Sequence, residues 1–273
     1  MTLWICKACA VEHPESDAPP ARCAICEDER QYVPPAGQEW LSLEQLGLDG
    51  TRIVHASTEP GLDALWAEPK VGIGQHGHFV QTGAGNILWD PPGFVDAAAA
   101  DWIRGLGGVV AIVASHPHMF GAQVSWSRAL GDAPVFVADA DREWVRREDA
   151  VIQGWTGDLQ PLPGVTVRTV GGHFPGSAVL SFTGADGKGV LLSGDTIFPG
   201  PSERWVTFLR SYPNDIPLSA AVVERVVAAV NDFDYDRIYG NFGQTVPSDA
   251  RAAVRRSADR YIGWVRGDFD HLT

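Results

Sequence analysis

Three apolar runs in this chain stop at residue types that bind metals, and that pattern restricts the fold more than any other feature. "VVAIVA" runs through Ser115 into His116 and His118. "VTVRTV" leads through two glycines into His173, and "VLLSG" ends on Asp195. Aliphatic, β-branched runs of this length, bounded by Gly, Pro or Asp, read as buried strands. In extended backbone residues i and i+2 point the same way, so His116 and His118 can face one ion while Pro117 points away. The glycines before His173 permit close backbone approach. One loop histidine carries little information. Several such residues, each behind a strand, can converge where a fold gathers strand ends at one sheet edge.

The same rules predict strands at Arg52–Ala56, Val71–Gly74, His78–Thr82, Asn86–Asp90, Val109–Ala114, Val135–Ala138, Val165–Val170, Ala178–Phe182, Gly189–Ser193 and Arg237–Gly240. Glycines mark hairpin turns at Thr82–Gly85 and Gly184–Gly189. Helices are predicted at Val95–Leu106, Gln123–Leu130, Ala140–Arg147, Leu218–Val230 and Asp249–Arg266. The fourth sets Leu218, Val222, Val226 and Val230 on one face, with Pro217 suited to a first turn. The fifth sets Val254, Ala258, Tyr261 and Val265 on one face, with Ser248 or Asp249 as cap. Hairpins, then strand–helix alternation, then hairpins and alternation again, describe an α/β (α+β) chain. Its two sheets would carry helices on their outer faces.

All four cysteines lie in the first 26 residues, as "CKAC" (Cys6, Cys9) and "CAIC" (Cys23, Cys26) with 13 residues between the pairs. Two such knuckles can set four sulfurs tetrahedrally around one ion, and thiolates in that geometry prefer zinc or iron. Ala10 and Glu27 stand where rubredoxin-type knuckles often have glycine, which favours structural zinc. A module this small cannot build its own core, so the metal would supply folding energy. The expected domains are a zinc-ribbon or rubredoxin-like module at 1–33, a linker or covering strand at 34–50, and a large domain at 51–273. His13 lies near the knuckles, but four sulfurs already suffice.

The formal charge is −13. That excess of acid argues against a nucleic-acid partner, because phosphate binding needs a basic surface. No run of about 18 apolar residues suggests a membrane span, and the N-terminus does not read as a signal peptide. The expectation is a cytoplasmic protein acting on a small molecule. Oligomeric state is not legible.

Taken together, "GNILWD", "SHPHMFGA", "GGHFPGS", "LLSGDTI" and "SYPNDIPL" resemble the metallo-β-lactamase fold superfamily over about residues 50–268, specifically a bacterial subgroup with an N-terminal Cys-x-x-Cys module. The resemblance implies a four-layer αββα sandwich with a metal site at one edge between the sheets. His116 and His118 match the first two histidines of the family's HxHxDH motif, but its Asp falls on Phe120 and its third His on Gly121. Where the last family histidine is expected, the chain reads "GNFGQTV", offering Asn241 or Gln244. The resemblance therefore implies that half of a two-metal site survives, formed by His116, His118 and His173 with Asp195 beside it. Asp90 resembles the family's carboxylate that supports the metal loop from behind. A turn cap is an equal reading, and Asn241 is a second supporting candidate.

Three functions remain open on the sequence. One is hydrolysis of an ester, thioester or amide-like carbonyl by a single zinc at His116, His118, His173 and Asp195. Trp205, Phe208, Tyr212 and Phe120 would then be candidates for an apolar pocket. Another is an iron dioxygenase built on His116, His173 and Asp195 as a two-His–one-carboxylate face. The last is a non-catalytic metal-stabilised domain. His76 and His78 alternate in "GQHGHF" but are expected away from the metal edge.

Overall fold

The computed structural model describes residues 1–273. The N-terminal module is a three-stranded antiparallel sheet in the order β2 (Glu12–Ser16), β1 (Thr2–Cys6), β3 (Trp40–Ser42). A one-turn helix, α1 (Ala24–Glu27), carries the second knuckle. β3 falls in the segment expected as a linker or covering strand, and this stretch completes the module's sheet. The short helix α2 (Leu43–Leu48) then starts from a Ser42 cap, whose hydroxyl accepts from Gln45 N at 3.0 Å.

A seven-stranded sheet follows, built from β4 (Arg52–Glu59), β5 (Leu62–Glu68), β6 (Gly77–Thr82), β7 (Gly85–Trp89), β8 (Ala111–Val113), β9 (Val135–Ala138) and β10 (Ile152–Trp155) in chain order. β4 to β7 pair antiparallel, and β7 to β10 parallel. The second sheet runs β11 (Asp158–Leu162), β12 (Val165–Thr169), β13 (Ala178–Thr183), β14 (Gly189–Leu192), β19 (Arg237–Tyr239), β20 (Thr245–Val246). Between its fourth and fifth members the chain makes two ribbons, β15 (Phe198–Pro199) with β16 (Val206–Thr207) and β17 (Leu209–Ser211) with β18 (Ile216–Pro217).

Both faces of the central strands are buried, and the two-residue period sorts them. Ile87 and Trp89 of β7, with Val190 and Leu192 of β14, pack between the sheets. Leu88 faces the outer layer of helices α3 (Ala97–Gly105) and α4 (Gln123–Ala129). Leu191 faces α5 (Ala220–Val230) and α6 (Ala250–Arg266). The result is the four-layer αββα sandwich. Asp96 caps α3 by accepting from Ala99 N, and its other oxygen accepts from Ile53 N, both at 2.7 Å, which ties the helix to β4. No helix is long and apolar enough to cross a membrane.

Several sequence expectations are corrected. Val71–Gly74 is a turn: Gly72 and Gly74 adopt positive φ, and Gly74 N donates to Val71 O instead of to a neighbouring strand. The strand in that region is Leu62–Glu68, whose acidic and small residues hid its pattern. Ala140–Arg147 is a short 3-10 turn at Asp139–Trp144, where the Asp141 carboxylate accepts from Gly176 N across the fold. The buried face of α5 is Val223, Val226, Val227 and Val230, with Leu218 buried ahead of the helix and Val222 only partly so. Val265 on α6 is exposed, and Asp249 precedes that helix in a left-handed conformation without a side-chain cap.

Candidate metal centre

The ends of β7, β8, β12, β14 and β19 fall on one edge of the sandwich, and each delivers a polar residue there. Asp90 follows β7, His116 and His118 follow β8, His173 follows β12, Asp195 follows β14 and Asn241 follows β19. Four of them meet: ligand atoms of His116, His118, His173 and Asp195 all lie within 4.8 Å of one another, and all four residues are buried. His116 Nε2 stands 3.4 Å from Asp195 Oδ2, His173 Nε2 stands 4.0 Å from the same oxygen, and His173 Nε2 is 3.1 Å from His118 Nδ1. Ligands on a zinc tetrahedron with bonds of about 2.1 Å stand roughly 3.4 Å apart, so the set has the right dimensions. His116 Nε2 and Asp195 Oδ1 have no protein partner. The local path differs from the expected extended one. His116 is extended, but Pro117–Met119 forms a 3-10 turn that swings His118 back toward His173.

Supporting hydrogen bonds fix which nitrogens are free. His173 Nδ1 donates to Leu209 O at 3.0 Å, leaving its Nε2 lone pair toward the cluster. Ser115 gives its hydroxyl proton to Asp90 Oδ2 at 2.9 Å, so it accepts from His116 Nδ1 at 2.8 Å and leaves His116 Nε2 free. Asp90 also accepts from Ser115 N at 2.6 Å and from Asn241 Nδ2 at 2.8 Å. Asp90 and Asn241 thus stand behind the ligands. Burial pushes the Asp90 carboxyl up to about 7. Burial drives His173 down to about 4 and His118 well below its ordinary value, which keeps both rings neutral, the form that binds metal. For Asp195 burial opposes ionisation, but the adjacent His116 and His173 rings outweigh it and hold the carboxyl below its usual range.

No second set of ligands stands beside this one. Phe120 is fully buried in the same apolar cluster as the four cysteines. Burying a side chain of that size contributes about 1.5–3 kcal/mol, so the position serves packing. Gly121 has φ +48°, and a Cβ there would stand 2.3 Å from Pro91 O. Its own carbonyl accepts from Glu12 N of the module at 3.0 Å. Asn241 spends its amide on Asp90 and on His76 O. His76 and His78 lie beside the metal edge, correcting the expectation that they sit away from it. His76 N donates to Asn241 O at 2.6 Å, and buried His78 pairs with Gly240 O at 3.3 Å.

The cysteines form a second buried group. Cys6 Sγ is 3.5 Å from Cys26 Sγ, and Cys9 Sγ is 3.7 Å from Cys23 Sγ. These separations are far beyond a disulfide and match sulfurs about 2.3 Å from a shared ion. Hydrogen bonds from Cys26 first, then Cys6 and Cys9, hold the Cys23 thiol below its ordinary range.

A cavity of about 600 Å³ opens at the histidine cluster, with His118, His173 and Asp195 in its wall. Of the aromatics expected to line a pocket, Tyr212 does, and its hydroxyl donates to Asp195 O at 2.8 Å. Phe208 and Phe120 are in the core, and Trp205 packs under Arg260. Sequence reasoning missed Phe198 and Phe242 in the wall, and it missed the module's share: Ala8, Arg30, Gln31 and Tyr32. Arg30 Nη1 donates to His173 O at 3.4 Å, and its guanidinium lies 3.7 Å over the Phe174 ring. Nothing local in the sequence connects residues 30 and 173. Ser115 was legible in principle, since it directly precedes His116.

A buried three-His–one-Asp group at the open edge of an αββα sandwich defines a metal-binding protein of hydrolase-type fold. The family model described as the metallo-beta-lactamase superfamily matches residues 74–261, and the chain belongs to that superfamily. It is similar to YmaE of Bacillus subtilis (strain 168), described as an uncharacterized protein, at 40% identity over 99% of this chain and 100% of that one. Among solved structures it resembles VMB-1, with a TM-score of 0.58 and 15% identity over 78% of this chain and 98% of that chain. It also resembles the metallo-beta-lactamase FIM-1 from Pseudomonas aeruginosa in its mono-zinc form, with a TM-score of 0.55 and 14% identity over 76% and 95%. At such identities these structures speak for the fold alone.

Proposed function

We propose that the chain is a hydrolase with one metal ion at the histidine centre, acting on an ester- or thioester-like carbonyl in a small molecule, and that the four-cysteine module holds a structural zinc. The observation that carries this reading is the convergence of three imidazoles and one carboxylate at a cavity with no second ligand set beside them. Zinc is the ion favoured by this donor set, and when bound it brings the pKa of a coordinated water to about 7. His116, His118 and His173 would hold the ion through Nε2, Nδ1 and Nε2. The Asp90–Ser115 pair and the Leu209 carbonyl keep two of those rings in the ligating tautomer. The unpartnered Oδ1 of Asp195 is available to take a proton or to orient the attacking water. Tyr212, bonded to the Asp195 carbonyl oxygen, fixes where that carboxylate stands.

The test is element analysis of purified protein together with a hydrolysis panel of thioesters, lactones and phosphoesters. The expected result is about two zinc ions per chain, one at each cluster, and metal-dependent hydrolysis of an ester or thioester. Anomalous scattering that placed two ions at the histidines would overturn the single-metal reading. A second reading has its own support: Asp195 Oδ2 lies as close to His116 Nε2 as a fellow ligand would. Iron at the histidines would then favour a two-His–one-carboxylate oxygenase, and the same element analysis decides between the two.

A further inference from the structure

We propose that the part of the cavity away from the histidines recognises a carboxylate on a ring-bearing substrate, with Lys70 as its charge partner; this assignment deepens the hydrolase reading and rests on it. The chain has only three lysines. Lys7 is paired with Glu39 at 2.7 Å and Lys188 with Asp236 at 2.8 Å. Lys70 has no carboxylate partner, and it lies in the cavity wall. Gly74 leaves the room in which its stem lies: a Cβ there would come within 2.8 Å of Lys70 Cδ and 2.9 Å of Cγ.

The charges around the cavity favour an anion, although the chain as a whole is at −13. Asp195 is the one acid in the wall, and it belongs to the metal cluster. Arg30 is committed elsewhere: Nε and Nη2 hold Asp28 at 2.5 and 2.9 Å, and Nη1 holds His173 O. The free ammonium of Lys70 is therefore the charge left for a ligand. One ammonium suits one carboxylate. The same cavity offers a place for a ring, because Phe198 packs on Tyr212 at 4.5 Å and on Phe242 at 5.9 Å between centroids. Tyr32, carried in by the four-cysteine module, is half exposed in the same wall. Gln244 also lines it, with a buried Oε1 that has no partner.

Phenylacetate and its neutral isostere phenylacetamide are the probes, titrated calorimetrically into the metal-loaded protein and its K70A and K70R variants. The wild type is expected to bind the acid at least about fivefold tighter than the amide, the size of one partly exposed ion pair. K70A should erase that preference and K70R should keep most of it, with metal content unchanged in both. A preference that survives in K70A means the metal alone holds the carboxylate, which overturns the subsite; absence of binding to either probe overturns it too. If Lys70-dependent binding is found while the whole hydrolysis panel stays silent, the hydrolase reading falls and the subsite stands.

Discussion

The two four-ligand clusters in this chain are built in opposite ways. The cysteine cluster draws its ligands from two knuckles within 21 residues, all four are buried, and none faces the cavity. The histidine cluster draws its ligands from three loops spread over residues 116–195, and three of the four line a cavity. Ligands close in sequence can make a metal site from local geometry and leave nothing open, which suits a structural role. Ligands far apart meet only after the sheets have formed, and the sheet edge leaves one side accessible to a small molecule.

The clusters are nonetheless joined through one loop. Ala10, with φ +65°, sits against Gly72 and Gly93, where any Cβ would collide with it. Glu12 is buried and accepts from Val124 N, from Ser125 Oγ at 2.8 Å and from Arg147 at 2.7 Å. Together with its backbone bond to Gly121, this clamps the module onto the segment that carries His116 and His118. The module thereby packs against the loop of Phe120 and Gly121.

The most damaging way to break the comparison is Cys23→Ser. Loss of the sulfur site should unfold the module, cost at least about 3–5 kcal/mol of stability, and release the histidine-site metal as well. Thermal unfolding and metal content read both, and a variant that keeps full histidine-site occupancy would show the clusters to be independent. His118→Ala should do the converse. Metal content falls from about two ions to about one, the fold stays intact, and the hydrolytic rate drops by about a thousandfold or more. Asp195→Asn should keep the metal but slow turnover by about a hundredfold, seen in kcat rather than KM. Equal rates would remove Asp195 from the proton path.

Gly121→Ala tests the loop against which the module packs. Its positive φ and the 2.3 Å approach to Pro91 O should cost about 2–3 kcal/mol in denaturant unfolding. A neutral substitution would mean the loop has room for a second ligand set. The smallest expected effect is at His78, which burial holds down to about 4 against 6.5 when unfolded. The unfolded chain therefore binds the proton first as pH falls. This contribution to stability is complete above 6.5 and is lost as pH drops from there toward 4. Between pH 7 and 5 it amounts to about 2 kcal/mol. His78→Gln should remove that part of the pH dependence, measured by urea midpoints at the two pH values.

Strand ends were readable because a buried strand must be apolar on both faces, and the residues that interrupt it stand out. That is why His116, His118, His173 and Asp195 could be read from the sequence as candidates for one edge, whereas Asp90 was suggested only by the family resemblance. Leu62–Glu68 was missed because Asp63, Ala64 and Ala67 blur its pattern, and Val71–Gly74 misled because two glycines with positive φ let an apolar stretch turn. His76 and His78 were assigned to the wrong neighbourhood, since only the pairing of β6 with β7 and the contact to Asn241 bring them to the edge.

By itself the sequence determined the local chemistry: which residues can bind metal, which strands they end, and that the four cysteines act together. Those properties depend on spacings of a few residues and on side-chain type. Only the tertiary structure decided that the module clamps the histidine loop. It also decided that Arg30, Tyr32 and Lys70 share a cavity with His173. These outcomes join residues up to 143 positions apart. Such contacts depend on how whole layers pack, which no short pattern in the chain records.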